Sequence, residues 1–300
     1  MLKLILIITL GVPDVGAMES AYSQWLGYTV AAHGKVERDL ASAWAAPAMT
    51  GRPYTLMQPE SKANIYLRFV QVDPVDGYVP MKTFGWNAIE ILVKDPDELA
   101  QRLGKPGSPF EIIGQPRPLG AGSPIRAMQV VGPAKEVLYL TRIPPRAEDP
   151  GASAQTFVDR PFILILGGPQ LDTLRDFYGT TFGAKVSPPT QARMTVLNKA
   201  HGFDIETTHP MSVARVSPQY SIELDGYPPA ATPRPTRKGE LPVAIASVSF
   251  TVDSLDGLKV PLLASPRKVA APPYSGRRVA MARAAAGELV EFVEEQPAAK

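Results

Sequence analysis

The 300-residue sequence is 45% hydrophobic and has a formal net charge of +2, with 20% charged residues. This composition supports a sizeable core spread over two domains, and the weak net charge argues against a nucleic-acid or anionic-membrane partner. The chain contains no cysteine, which excludes disulfides, thiol nucleophiles and thiolate metal sites.

The chain opens with an apolar run, Leu4 to Leu10, followed by the turn residues Gly11, Pro13 and Asp14. A run of this length is too short to cross a bilayer and is short for the core of a signal peptide, and no small-residue cleavage pattern follows it. We therefore interpret it as a buried first strand and expect a cytoplasmic protein.

The order strand, turn, helix, glycine, strand then recurs along the chain. Its clearest copy spans Asp159 to Val186, where Leu171, Leu174 and Tyr178 form one face of a helix that ends at Gly183. Weaker copies are predicted for two further segments, Asn87 to Gly104 and Ser247 to Leu263. Equivalent first-strand positions recur at intervals of about 80 residues, too long for a solenoid repeat, and they are Ile7, Asn87, Ile163 and Ser247.

This repeat predicts four modules. They run from the start to about Val72, from Gly85 to Ile143, from Arg160 to Gly226 and from Val243 to Glu294. The polar, proline-containing segment Pro144 to Thr156 is typical of a linker and predicts domains over residues 1–145 and 157–296. The proline-rich segment Tyr227 to Pro242 is interpreted as a connector, with a flap over the site as the alternative.

The repeat resembles the module of the vicinal oxygen chelate superfamily, which includes glyoxalases, bleomycin-resistance proteins and extradiol dioxygenases. The resemblance rests on the turn Val12 to Asp14, on the stretch LDTLRDFYGTTFGAKV, and on the closing strand Gly287 to Glu294. It implies an α+β fold of four βαβββ modules that form two cupped domains. The reaction stays open, because one fold supports many chemistries.

In this superfamily metal ligands, commonly His and Glu, lie on the first and last strands of the modules. In the second domain these positions are Ile163, Ser247, Glu223 and Glu291. An alkyl group and a neutral hydroxyl are poor ligands for iron, zinc or manganese, and two carboxylates alone would give Mg²⁺ a weak site. The first-domain positions are Ile7, Asn87, Tyr139 and Leu67. We therefore expect neither a metal nor another cofactor.

Glu223 and Glu291 each lie in an apolar strand, so burial is expected to raise their pKa values. Two nearby carboxylates, one protonated and one ionised, suit acid–base catalysis. The alternative is that they form ion pairs with arginine, for which the candidates are Arg160, Arg193, Arg215 and Arg283.

His201 is the third predicted catalytic residue, because imidazole titrates near neutrality, although a surface histidine fits its position as well. The residues predicted to contact the substrate are Ser247, Tyr220 and Ile163.

The resemblance and these residues together favour a metal-independent lyase or isomerase that acts on a small, largely apolar or aromatic metabolite in the C-terminal cup. One alternative is a binding protein that sequesters a small molecule without transforming it. A metal-dependent dioxygenase or glyoxalase is a further alternative, against which the missing histidines argue. The expected partner is a small-molecule substrate, with no nucleic acid and no membrane, and a homodimer is left open.

Overall fold

The computed structural model describes residues 2–120, 122–147 and 149–295. It contains the four predicted modules. Module one comprises β1 (Ile5–Val12), α1 (Val15–Leu26), β2 (Thr29–Lys35), α2 (Arg38–Ala43), a 3-10 helix (Pro47–Met49), β3 (Pro53–Gln58) and β4 (Tyr66–Gln71). Module two comprises β5 (Gly85–Val93), α3 (Pro96–Leu103), β6 (Glu111–Pro118), β7 (Arg126–Val131) and β8 (Val137–Arg142).

Modules three and four follow a second 3-10 helix, Pro150–Ala152. Module three comprises β9 (Val158–Gly168), α4 (Leu171–Phe182), β10 (Lys185–Val186), β11 (Thr190–Arg193), α5 (Thr195–His201), β12 (Thr208–Arg215) and β13 (Ser221–Gly226). Module four comprises β14 (Ala244–Val252), β15 (Arg267–Lys268), β16 (Arg278–Arg283) and β17 (Leu289–Glu294). The predicted α+β class is confirmed, and no helix in the described ranges is long and apolar enough to cross a membrane.

Local sequence explains the two strongest copies of the repeat. Asp14 begins α1, where its side chain accepts a hydrogen bond of 2.9 Å from the backbone N–H of Ala17. Helices α1 and α4 both end at a glycine in the left-handed region, Gly27 with φ 72° and Gly183 with φ 66°, a conformation that other residues rarely adopt.

The helix expected within Ser247 to Leu263 is absent from the described structure of module four, and turns occupy the segment after β14. Gly257 and Pro261 lie within the stretch that the helix would need. Glycine weakens a helix and proline breaks it, so the repeat is preserved here in its strands but not in its helix.

The strands form two sheets in the part of the chain that the structure describes. Sheet one has the order β15-β16-β17-β14-β1-β4-β3-β2 and therefore combines modules one and four. Sheet two has the order β10-β12-β13-β9-β5-β8-β7-β6, with β11 paired to β12, and combines modules three and two. The central pairs, β1 with β14 and β5 with β9, are antiparallel.

This pairing corrects the predicted division into residues 1–145 and 157–296. Segment 144–156 joins two modules of one sheet, whereas segment 227–242 crosses from sheet two to sheet one. Each module leaves one edge of its first strand free, and all four first strands are almost entirely buried. The repeat therefore predicts that first strands pair but does not determine which copies pair.

Contacts between distant segments hold the observed arrangement. The hydroxyl of Tyr22 in α1 donates to Glu136, just before β8, at 2.9 Å, and the hydroxyl of Tyr178 in α4 donates to Glu288, just before β17, at 2.8 Å. All four side chains are buried. The two contacts are equivalent in the repeat, and each joins a helix packed on one sheet to the other sheet. They lie in one continuous apolar core shared by α1, α3, α4 and the neighbouring faces of both sheets.

The connector 227–242 is also fixed in place. Arg234 donates to the backbone carbonyl of Ile245 at 2.7 Å, to the carbonyl of Trp86, and to Oγ1 of Thr83 at 3.2 Å. These bonds attach the connector to segments at the junction of the two sheets, which agrees with its interpretation as a connector.

Candidate functional site

The face of each sheet that points away from the shared core forms a cup, and the two cups differ. In sheet one the cup is filled by the α2 region and by the loop before β16. Trp44 and Tyr274 are each no more than 1% exposed and pack with Val269, Val279 and Met281. Large aromatic side chains therefore occupy the space that a ligand would need.

Glu291 lies at the bottom of this filled cup and is fully buried. Its Oε1 accepts hydrogen bonds from Trp44 Nε1 at 2.5 Å and from the Tyr274 hydroxyl at 2.8 Å, and its Oε2 accepts one from Ser249. Arg68 Nη2 is 3.6 Å from Oε2. The carboxylate is thus hydrogen-bonded and forms an ion pair. Its partner in the ion pair is Arg68 and not one of the four arginines considered from the sequence. Its full burial and its four partners favour a structural role over contact with a ligand.

Ser247 lies in the same sheet, opposite Thr9 on β1 and Leu289 on β17. It is fully buried, and its hydroxyl has no hydrogen-bond partner among the described residues. Because Ser247 and Glu291 belong to sheet one and Glu223 belongs to sheet two, the predicted C-terminal cup does not exist as one site.

The cup of sheet two is open and holds a cavity of about 680 Å³. Strands β5, β7, β8 and β13 provide Glu90, Gln129, Tyr139 and Glu223 as its polar floor. The walls are mostly apolar. Arg117 and Thr195 also line the cavity, and the Arg117 guanidinium donates a hydrogen bond of 2.7 Å to the Thr195 hydroxyl. The apolar wall residues include Leu119, Met194, Val196 and Met211.

The cavity exists because α5 fills only one end of this cup. Val196 and Leu197 of α5 pack against Ala88, Val137 and Ile165. The aromatic pair that fills the cup of sheet one has no counterpart among the described lining residues of the cavity. Burial of a short apolar helix therefore shapes the cavity without closing it.

Two carboxyl groups on the cavity floor have raised pKa values. Burial raises the pKa of Glu90 to about 8, and the negative charge of the nearby Glu223 raises it further. A hydrogen bond of 2.5 Å that Thr141 donates to Oε1 of Glu90 acts in the opposite direction and lowers the pKa. Burial raises the pKa of Glu223 to about 7, and no described residue donates a hydrogen bond to its half-buried carboxylate. Near neutral pH, Glu90 therefore holds a proton while Glu223 is partly ionised.

The raised pKa of Glu90 predicts that the stability of the fold depends on pH, and Glu90→Gln should weaken this dependence. Between pH 4.5, the ordinary pKa of a glutamate, and about pH 8, the folded protein binds more protons at Glu90 than the unfolded chain does. The stabilisation is fully present below pH 4.5 and is lost as the pH rises through this range. Each pH unit accounts for at most about 1.4 kcal/mol for one group. The free energy of unfolding in urea between pH 4.5 and 9 measures the effect.

Glu60→Gln makes the same chemical change at an exposed position and serves as the control. Glu90→Gln should gain stability relative to the wild type as the pH rises, whereas Glu60→Gln should run parallel to the wild type. Parallel curves for Glu90→Gln and the wild type would show that Glu90 is not held in its protonated form.

Sequence reasoning missed Glu90. It assigned the first-strand position to Asn87, whose amide instead donates to the backbone carbonyls of Thr83 and Gly85, each at 2.8 Å. The signal for Glu90 is the one that identified Glu223, a carboxylate inside an apolar strand (NAIEILV). Tyr139, which held a last-strand position in the sequence comparison, does lie on the cavity floor.

The other predicted site residues are placed as follows. Ile163 faces Glu90 across the β5–β9 pair and thus borders the cavity floor. Tyr220 belongs to the apolar core on the opposite face of the sheet. His201 ends α5 rather than lying on or beside a strand, and its Nε2 is 3.1 Å from the backbone oxygen of Met81. Of the six residues predicted to be catalytic or to contact the substrate, only Glu223 lines the large cavity.

The donor set of the open cup does not fit a metal site of the superfamily type. The strand positions provide Glu90, Tyr139, Ile163 and Glu223, of which two are carboxylates, one is a neutral phenol and one is an alkyl group. In the described ranges, no three His, Cys, Asp or Glu side chains are grouped closely enough to hold a metal ion.

Comparison with known proteins gives structural matches only. No protein-family model and no curated protein sequence matches the chain. Glyoxalase I from Zea mays aligns with a TM-score of 0.62 and 14% identity over 97% of this chain and 92% of that one. A point mutant of the same enzyme gives a TM-score of 0.64 and 16% identity over the same shares.

A candidate dioxygenase from Bacillus subtilis aligns with a TM-score of 0.60 and 12% identity, over 99% of this chain and 86% of that one. Identities this low establish the fold and not the reaction. The match extends over all four modules. The chain therefore has the fold of glyoxalase I, and the resemblance to the vicinal oxygen chelate superfamily is confirmed at the level of the fold.

Proposed function

We propose that the chain is a metal-independent lyase or isomerase that works by acid–base catalysis in the cup of sheet two. The observation that carries the proposal is the pair Glu90 and Glu223 on the floor of an open cavity, with pKa values raised to about 8 and about 7. Perturbed carboxyl groups in a cleft are characteristic of catalytic acids and bases.

The two carboxyl groups suit different roles. Glu223 has no hydrogen-bond donor among the described residues, so its ionised form is free to accept a proton from a substrate carbon beside a carbonyl group. Glu90 holds a proton near neutral pH and can donate it to the carbonyl oxygen on which negative charge develops. Return of a proton to a neighbouring carbon gives isomerisation, and loss of a leaving group gives elimination.

The cavity walls restrict the substrate. Leu119, Met194, Val196 and Met211 are apolar, and the ring of Tyr139 adds an aromatic surface. A volume of about 680 Å³ accommodates a small metabolite. These features support a small, largely apolar or aromatic substrate that carries a carbonyl group.

Binding without turnover is the competing proposal, because an open cavity of about 680 Å³ can hold a small molecule whether or not chemistry follows. A dioxygenase or glyoxalase that uses a metal is less well supported, because the donor set does not match.

Proton exchange in D₂O tests the proposal without knowledge of the natural substrate. Phenylacetaldehyde, phenylacetone and phenylpyruvate are incubated with the protein, and loss of the proton signal beside the carbonyl is followed by NMR. We expect exchange faster than in buffer for at least one compound, insensitivity to EDTA, and loss of the acceleration in Glu223→Gln.

Three outcomes would contradict parts of the proposal. Saturation-transfer signals from bound compounds without any exchange would support a sequestering protein. Exchange that EDTA abolishes and added metal restores would overturn metal independence. Exchange that persists in folded Glu223→Gln would remove the assigned base.

A further inference from the structure

A second cavity, of about 200 Å³, lies on the cup face of sheet two beside the carboxyl pair. Ile163 on β9 lies between two neighbours in the sheet. It is opposite Glu90 on β5 and opposite Ser221 on β13. Ser221 and Ile163 line the second cavity, whereas Glu90 lines the large one. The two cavities are therefore separated by a single row of residues.

Hydrogen-bond donors that lack protein partners converge on this second cavity. Arg215, Gln219 and Ser221 all line it, and their side chains make no hydrogen bond or ion pair with any residue that the structure describes. Arg160 also lines it and is only 8% exposed. Arg160 donates to the backbone carbonyl of Gly151 and to Asp159, whereas Arg215 and Gln219 are exposed and Ser221 is half-buried, so the donors that are free to meet a ligand lie at the open side of the cavity.

The charges in this cavity favour a negatively charged ligand. Arg160 is balanced in part by Asp159, whose Oδ2 is 3.3 Å from its Nη1. Asp149 lines the exposed rim, but no described ion pair within 4 Å joins it to either arginine. Arg215 therefore has no carboxylate within 4 Å among the described residues, and two guanidinium groups in one small cavity match the oxygens of a phosphate or carboxylate.

We propose that Arg160, Arg215, Gln219 and Ser221 form an anion-binding site for a phosphate or carboxylate group. Its apolar border, made by Leu92, Phe162 and Ile163, suits an anionic group attached to an organic body. Two sources fit this chemistry. The anion is either one end of the substrate, which passes Ile163 to reach the carboxyl pair, or a separate small anion. The site is distinct from the carboxyl pair and does not require the proposed reaction.

Calorimetric titration at low ionic strength with inorganic phosphate and with phenyl phosphate tests the site. We expect saturable binding of at least one of the two by the wild type, and a loss of about tenfold in affinity in Arg215→Gln, because a charge-assisted bond is removed. Arg267→Gln makes the same change at an exposed position on sheet one and should bind as the wild type does.

Arg215 was chosen because it is exposed and its side chain has no described partner, so its replacement should leave the fold intact, which circular dichroism verifies. Ser221→Ala provides a second variant that should also weaken binding. Tighter binding of phenyl phosphate than of phosphate would assign the site to an organic anion, whereas equal binding would assign it to a free anion. Affinity that is unchanged in both variants, equally reduced in Arg267→Gln, or undetectable in the wild type would overturn the proposal. None of these measurements depends on turnover, so they remain informative if no proton exchange is found.

Discussion

Replacing Glu223 by Gln is expected to lower the rate of proton exchange by roughly 10²-fold or more, while ligand affinity stays within a few-fold of the wild type. The substitution keeps the size of the side chain and removes the group that accepts the proton. Glu223 has no described hydrogen-bond donor that would be left unpaired, and because burial raises its pKa to about 7, the neutral amide should stabilise the fold at pH 7 rather than weaken it. Exchange rates by NMR, ligand affinity and the thermal midpoint, all on the same preparation, measure the three effects.

The pH dependence of exchange separates the roles of the two carboxyl groups. The rate should rise as the carboxyl with a pKa of about 7 ionises and fall as the one with a pKa of about 8 loses its proton. Because the two groups interact, these limbs belong to the pair. Glu90→Gln should remove the alkaline limb, and a profile that keeps both limbs in this variant would reject Glu90 as the acid.

The second large effect is expected for stability in the filled cup of sheet one. Arg68→Met should lower the free energy of unfolding by about 3–5 kcal/mol, because it leaves the carboxylate of Glu291 buried without its counter-charge. Arg68 is 1% exposed and also donates to Thr9 and Tyr274, at 2.8 and 2.6 Å, so these bonds are lost as well. Urea denaturation at pH 7 measures the change.

A double-mutant cycle makes this prediction specific. Glu291→Gln removes the charge but keeps an oxygen that can accept from Trp44 and Tyr274, so the double variant with Arg68→Met should be much more stable than the sum of the two single changes predicts. The surface pair Arg278 and Glu294, 2.6 Å apart and partly exposed, is the control, and its coupling should be at most about 1 kcal/mol. Additive effects at Arg68 and Glu291 would show that the two charges do not stabilise each other.

The same Glu291→Gln variant also distinguishes the two cups. If the working site is the cup of sheet two, the folded fraction of this variant should exchange protons at the wild-type rate. A rate reduced as much as in Glu223→Gln would return the catalytic role to Glu291 and would require the aromatic filling of its cup to move.

The sequence by itself determined the local features of this protein. The turn at Asp14, the helix faces of α1 and α4 and their terminal glycines depend on residues a few positions apart, and they occur where predicted. Burial of Glu223 and Glu291 followed from the apolar strands around them. Glu90 satisfied the same criterion, and applying it to all four first strands would have found this residue.

The tertiary structure decided which modules share a sheet, which cup stays open and what each carboxylate meets. The four first strands present similar edges, so local pattern cannot select their partners. Trp44 and Glu291 are 247 residues apart and meet because modules one and four pair. The loop before β16 brings Tyr274 into one cup, whereas α5 fills only one end of the other and leaves it open. The carboxylate of Glu291 thus has an arginine and two aromatic donors as partners, while that of Glu223 faces a cavity. Contacts between distant segments cause this difference.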